Sequence, residues 1–268
     1  MDLNTVEMVS VPTRRDELWP LGPSDAILAG GTWLFSEPQV GLRRLVDITR
    51  LGWQPIEVDA SGIELAATCT LAELARLSTT SEWPAAVLLR QCCTALLASA
   101  KIWATATVGG NICLSFPAGA MISMATALDG TATVWRADGT EYTVPVAEFV
   151  TGEGTNVMAP ADVLRSIHLP AEAMRARTAF RKLAPSTLGR SGVVVIGRRD
   201  TGQFVLSVTA ATVRPYVFRF PGMPSADEVR GALAGIPDDA WTRDAHGDPD
   251  WRKAVTSVLV DEVRAELT

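Results

Sequence analysis

Histidine is nearly missing from this chain, with two in 268 residues, His168 and His246. His168 lies in VLRSIHLP, alternating with apolar neighbours as an outward strand residue does, and His246 lies in the turn-like DAHGDPD. Residues so placed build no imidazole metal centre, and no nucleophile-elbow sequence supports a Ser-His-Asp triad. Cysteine is scarce as well. Cys69, Cys92, Cys93 and Cys113 form no CxxC pair, and an adjacent Cys-Cys rarely ligates one metal. An iron–sulfur cluster needs several thiolates at short spacing, which this chain does not offer. Its thiols read instead as small buried groups in a reducing compartment. Positive charge is in deficit: 24 Lys+Arg against 30 Asp+Glu leave a net charge of −6. That balance argues against a general nucleic-acid binder and against docking on an anionic membrane. No apolar run reaches the length of a membrane span, and MDLNTVEMVSVPTRRDEL has no apolar signal core, so a cytoplasmic protein is expected. Redox or electrophilic chemistry must then come from a bound cofactor.

What is present suffices for a packed core: 47% of residues are hydrophobic and 20% charged. The segments Ala26–Leu28, Arg44–Ile48 and Gly62–Ala67 read as strands. Thr70 and Glu73 have the spacing of a capping box and start a helix. Pro84 to about Ala100, rich in Ala and Leu, predicts a mostly buried helix, and Ala118–Leu128 predicts another, with Met121, Met124, Ala125 and Leu128 at helical spacing. Thr131–Arg136 and Glu141–Val146 flank an Asp138-Gly139 hairpin turn, and Val163–Leu169 is a further strand. Pro170–Arg175 reads as a linker. Beyond it, Ala179–Leu183, Gly192–Arg198, Phe204–Thr212 and Tyr216–Phe220 have the β-branched and aromatic character of an antiparallel sheet. Two helices follow, the last from Pro249 with Trp251, Val255, Val258, Leu259, Glu262 and Val263 near one face. Strands and helices without βαβ regularity indicate an α+β fold. The expected domains are residues 1–170, with lobes of about 1–55 and 56–170, and residues 176–268.

Two glycine motifs carry the functional information. Ala29-Gly30-Gly31-Thr32-Trp33-Leu34 follows a strand, and Thr107-Val108-Gly109-Gly110-Asn111 follows the first long helix. Glycine permits positive φ and close approach of backbone to a ligand. Consecutive main-chain N–H groups in such turns can face one concavity and hold an anion, with Thr32, Thr107 and Asn111 adding side-chain groups. A diphosphate could thus be held by dipoles without a lysine cluster. Neither motif matches G-x-G-x-x-G or the phosphate loop, and a lone Gly-Gly is usually only a tight turn.

AGGTWL, then TVGGN, then SFPAGA, with colinear segments to the end of the chain, resembles the FAD-binding medium subunit of molybdenum hydroxylases. These are the carbon monoxide dehydrogenase and xanthine dehydrogenase relatives. The resemblance implies a two-lobed FAD-binding domain of the vanillyl-alcohol-oxidase (PCMH) type, followed by a C-terminal domain of antiparallel sheet and helices. It implies that Ala29, Gly30, Gly31, Thr32, Trp33, Leu34, Thr107, Gly109, Gly110 and Asn111 hold FAD. It also implies that Leu164 meets the flavin and that Arg181 or Lys182 stands near the ring. No side-chain acid or base is required. The implied activity is an electron relay, from [2Fe–2S] clusters on a small partner subunit through FAD to an external acceptor. A large partner subunit would hold the molybdenum–pterin centre. Three departures stand out: Trp33 where the family often has Asp or Ser, Ala120 where it has an acid, and Trp103-Ala104 where it has Arg-Asn. Each lost charge-assisted hydrogen bond is worth roughly 1.5–3 kcal/mol. A flavin-free structural or assembly subunit and a stand-alone flavin oxidoreductase therefore stay open as alternatives.

Overall fold

The computed structural model describes residues 3–77 and 82–268. Its first lobe is a parallel three-stranded sheet of β1 (Met8–Ser10), β2 (Asp25–Leu28) and β3 (Arg44–Asp47), ordered β1-β3-β2. Leu18, Val46 and Ile48 of this lobe share a small core with Val163 of the second lobe. Burial of both β3 positions Leu45 and Val46 accounts for its uninterrupted apolar pair.

The second lobe opens with the hairpin of β4 (Ile56–Asp59) and β5 (Gly62–Ala66). Its helices are α1 (Leu71–Leu74), α2 (Ala86–Ala95), α3 (Ala100–Trp103), α4 (Val108–Cys113) and α5 (Ala120–Ala127). The capping box forms as predicted: Thr70 N–H donates to the Glu73 carboxylate at 2.8 Å, and Glu73 N–H to Thr70 Oγ1 at 3.2 Å. The single helix expected to run to about Ala100 is broken. Leu97 takes φ 53°, and the Ser99 side chain starts α3 by accepting from Ile102 N–H. In α5 all eight residues are buried. The hairpin of β6 (Thr131–Trp135) and β7 (Glu141–Pro145) turns at Gly139, φ 84°. After α6 (Val146–Phe149) and the small pair β8 (Val150–Gly152) and β9 (Thr155–Asn156), strand β10 (Val163–Pro170) enters the sheet. The order is β4-β5-β10-β6-β7, antiparallel throughout.

The expected linker is instead structured. Ala171–Met174 is helix α7, with Ala171, Ala173 and Met174 buried. Ala171 N–H donates to Ser61 O at 2.7 Å, and Met174 O accepts from Ala85 N–H at 3.1 Å. Two alanines and a methionine that find a core do not stay extended in water. The C-terminal sheet is β11 (Arg177–Leu183), β12 (Val193–Asp200), β13 (Gln203–Thr209) and β14 (Tyr216–Phe220), antiparallel in sequence order. Helices α8 (Ala226–Ala234) and α9 (Pro249–Leu267) follow. The buried residues of α9 are Arg252, Thr256, Leu259, Val260, Val263 and Leu267; of the expected face Leu259 and Val263 are buried and Trp251 and Val255 pack on the core, while Val258 is 58% exposed. Arg252, outside the expected face, is buried as well and donates to Gly192 O and Ala210 O.

The two halves share a core. Val194, Ile196 and Ala210 of the C-terminal domain pack with α2, α4 and α5. Opposite them, Ala179, Val193 and Val195 face α8 and α9. Strand parity thus sends alternate residues of β11 and β12 to different halves of the molecule. Among the described residues no helix is long and apolar enough to cross a membrane.

Candidate functional site

The first glycine turn packs on the backbone that leads into the second motif. A Cβ added at Gly30 would lie 1.9 Å from Thr105 O and 3.1 Å from Ala106 Cα, so only glycine lets the first turn press on the backbone entering the second motif. Gly31 has φ +66°, in the left-handed region that favours glycine, and a Cβ there would strike the Phe35 ring at 2.5 Å. The turn is closed by Phe35 N–H to Gly31 O at 2.8 Å and Ser36 N–H to Trp33 O at 2.8 Å. Five consecutive amides, Gly30 to Leu34, donate to no protein acceptor among the described residues. All but Trp33 are only partly exposed residues. Free N–H groups around a left-handed glycine are donors that such a turn can offer to an anion.

The second motif differs from the expected turn. It is the start of α4, with Thr107 as N-cap, and its glycines are helical. Its amides are engaged: Val108 N–H donates to Cys69 O at 2.8 Å, Gly109 N–H to Ala67 O at 2.9 Å and Gly110 N–H to Thr107 Oγ1 at 3.0 Å. Gly109 is needed for proximity, since a Cβ would stand 2.7 Å from Ala67 Cα. Asn111 Oδ1 accepts from Met121 N–H at 2.9 Å and so caps α5, just beyond Ala120, the position where an acid was expected. The segment therefore serves as the wall against which the first turn is pressed. Nearby in the chain, Trp103 Nε1 is a buried donor with no partner among the described residues.

Trp33 leaves the first turn 42% exposed and meets Phe116 edge-on, ring centroids 4.8 Å apart. The Arg190 guanidinium lies 5.7 Å from the same Phe116 ring. This chain of contacts joins the first lobe, the α4–α5 connection and the β11–β12 connection. Phe116 lies within SFPAGA and so had a sequence signal. Arg190 had none, because a long connection decides its position.

Leu164, Arg181 and Lys182 make no hydrogen bond, ion pair or ring contact with either glycine motif among the described residues. Leu164 is buried in β10 beside a bulge between Leu164 and Ser166. Arg181 faces α9, pairing with Glu266 at 2.7 Å and Glu262 at 2.9 Å, and these carboxylates raise its pKa. Lys182 points the other way, beside Phe180 and α2, and burial pulls its pKa down. Burial pushes the Cys69, Cys93 and Cys113 thiols up to about 12, which leaves them protonated and unreactive. Among the described residues no group of three or more His, Cys, Asp and Glu could hold a metal ion.

A family model described as the FAD binding domain in molybdopterin dehydrogenase matches residues 9–172. No curated protein sequence matches the chain. Among solved structures, carbon monoxide dehydrogenase from Hydrogenophaga pseudoflava, in a form lacking the molybdenum–pyranopterin moiety, aligns with a TM-score of 0.81 at 20% identity, over 98% of this chain and 97% of that one. Quinoline 2-oxidoreductase from Pseudomonas putida 86 gives 0.82 at 17%, over 100% and 98%. Reconstituted CO dehydrogenase from Oligotropha carboxidovorans gives 0.80 at 18%, over 99% of both chains. Such identities speak for a shared fold, and the coverage is end to end. The expected α+β architecture is the one observed.

Proposed function

The chain belongs to the family of FAD-binding domains of molybdopterin dehydrogenases, and on that premise we propose that it is the FAD-holding, electron-relaying subunit of a cytoplasmic molybdenum hydroxylase complex. The observation that carries the cofactor assignment is the row of free amides from Gly30 to Leu34, pressed by Gly30 onto Thr105 and Ala106. Backbone donors suit a diphosphate, and the preformed turn lowers the ordering cost of binding. Arg190, which reaches this turn through the Phe116 ring, is a cation that could complement the anion. Trp33 and Phe116, in edge contact, would place aromatic surface beside the cofactor. Thr107 and Asn111 hold the wall in place. When bound, FAD supplies reversible electron acceptance, linking [2Fe–2S] clusters on a small partner subunit to an external acceptor. Family membership is what assigns molybdenum chemistry to a large partner subunit in this reading.

The test is flavin content and partner recovery. The purified chain should bind FAD in one-to-one ratio, with absorption in the flavin bands, and should copurify with iron–sulfur and molybdenum-binding chains. Gly30→Val should lose the flavin while circular dichroism still reports the parent fold. A well-folded Gly30→Val that retains stoichiometric FAD defeats the assignment, as does a parent chain that stays colourless after soaking in FAD.

A further inference from the structure

The chain passes from the first lobe to the second between β3 and β4, and Trp53 stands on that crossing, just after Gly52 with φ 70°. Arg165 of β10 grips it. The guanidinium carbon lies 4.5 Å from the centre of the Trp53 ring and 5.8 Å from that of Trp135 on β6, and the two rings meet edge-on at 5.4 Å. Arg165 owes this reach to the β10 bulge. It falls between Leu164, paired with Val134, and Ser166, paired with Thr133, as the extra residue without a cross-strand partner. A second cation meets the same ring from the first lobe: Arg15 lies 4.4 Å from the centre of Trp135 and donates to Gly139 O at 3.0 Å and Thr140 O at 2.7 Å in the β6–β7 turn. Trp19 Nε1 donates to Ala161 O at 2.8 Å, just before β10. The apolar cluster of this seam takes in Trp19, Trp53 and Trp135, and with them Ile27 and Ala29. Ala29 immediately precedes Gly30, so the seam runs on into the glycine turn.

A charged side chain is a costly filling for such a seam. Arg165 Nη1 is buried with no hydrogen-bond partner, and the guanidinium forms no ion pair, among the described residues. Burial lowers its pKa, although Glu64, Glu57 and Glu141 act to raise it. An apolar side chain of similar length would fill the space without desolvating a charge. What the guanidinium adds is direction, because its flat cation seeks the face of an indole and so fixes where the ring stands. We propose, on the reading of the Gly30 turn as a diphosphate site, that Arg165 is a positioning residue for the cofactor: stacked on Trp53 and Trp135, it sets the angle between the two lobes and with it the place of the Gly30–Leu34 amides. Arg165 makes no hydrogen bond, ion pair or ring contact with either glycine motif among the described residues, so it acts through the lobe angle alone. When the fraction of molecules at the competent angle falls, the apparent Kd rises by the inverse of that fraction.

The experiment compares the full chain with its Arg165→Met, Arg165→Lys and Trp53→Leu variants. Three quantities are measured: FAD affinity from flavin fluorescence, the urea midpoint of the FAD-free chain, and the distance between spin labels on the exposed sites Val9→Cys of β1 and Thr94→Cys of α2. Arg165→Met should keep the parent urea midpoint, weaken FAD by about tenfold and broaden the distance between the labels. Trp53→Leu should weaken FAD and broaden the distance in the same way, and it carries the test where Arg165→Met does not fold. Arg165→Lys keeps a cation for the rings and should stay within about threefold of the parent. Parent-like affinity and distance in Arg165→Met and Trp53→Leu overturn the proposal. So does weakened FAD binding at an unchanged distance, or an Arg165→Lys protein as weak as Arg165→Met. A parent chain that binds no FAD defeats the reading of the glycine turn instead. The label distances then decide on the stack by themselves: broadening upholds its control of the lobe angle, and an unchanged distance overturns it.

Discussion

Removing the Arg198 guanidinium should loosen the joint between the two halves of the molecule. Arg198 lies on β12 and its side chain is 2% exposed. It donates to Asp129 at 2.6 Å, to both Asp200 oxygens at 2.8 Å and to Ala127 O at 2.8 Å. Asp129 and Ala127 sit at the end of α5, so these bonds tie the C-terminal sheet to the FAD-binding domain. Arg219 reaches Asp129 from the outside at 2.6 Å. In Arg198→Met the Asp200 carboxylate, 3% exposed, is left without its cation. Breaking a buried pair from one side costs about 3–5 kcal/mol. Asp129→Asn should cost less, about 2–3 kcal/mol, because Asp200 still serves Arg198 and the half-exposed Arg219 contributes little. Urea denaturation of both variants and of the double variant measures the costs and their coupling. The pH dependence adds an independent reading. Burial raises the Asp129 pKa, but the Arg219 and Arg198 hydrogen bonds outweigh it and hold the net value low. A depressed folded pKa stabilises fully above the unfolded value of ~3.9 and is lost as pH falls below it. Asp129→Asn should therefore flatten the acid limb of stability in that range. An Arg198→Met protein within about 1 kcal/mol of the parent, with an unchanged acid limb in Asp129→Asn, refutes the clamp.

Two glycines should respond oppositely to alanine. Gly109→Ala forces a Cβ into the Ala67 backbone and should destabilise by about 1–3 kcal/mol, whereas Gly231, in α8 with open space around it, should gain about 0.5–1 kcal/mol, both read by urea unfolding. Trp33→Ala removes the edge contact with Phe116 and should speed FAD release severalfold at roughly unchanged stability, followed by the recovery of free-flavin fluorescence; an unchanged release rate separates Trp33 from the cofactor. At pH 8 the four thiols, three of them buried and the fourth half-buried, should react slowly with a disulfide reagent in the native protein and rapidly in denaturant. Rapid native labelling would contradict the burial that raises their pKa.

Local chemistry made much of the fold readable in advance. Two capping boxes, Thr70 with Glu73 and Ser225 with Glu228, act within one turn, and the first was legible in the string. The Asp138-Gly139 hairpin and the strand periods are likewise short-range. The errors fell where packing overrode propensity. Ala171–Met174 became a buried helix because a core was there to receive it, and the long α2 pattern was cut where Ser99 capped a new turn. On α9 the apolar tally found Trp251, Val255, Leu259 and Val263, which pack on the core, but included the exposed Val258 and missed Arg252, which the chain buries against carbonyls that no sequence window contains.

The site divides in the same way. That Gly30 and Gly109 must be glycine could be suspected from the motifs, which also carried the family and the cofactor. Strand alternation alone places Arg181 and Lys182 on opposite faces of β11. Which face meets the acids of α9 and which meets α2 depends on elements distant in sequence. The allocation of amides, free in the first motif and engaged in the second, was likewise a tertiary decision. Hydrogen-bond partners are assigned by proximity in space, and the Ala67 and Cys69 carbonyls arrive from a different strand connection. Residue order sets which backbone can bend; only the packed chain settles which of its N–H groups remain available to a ligand.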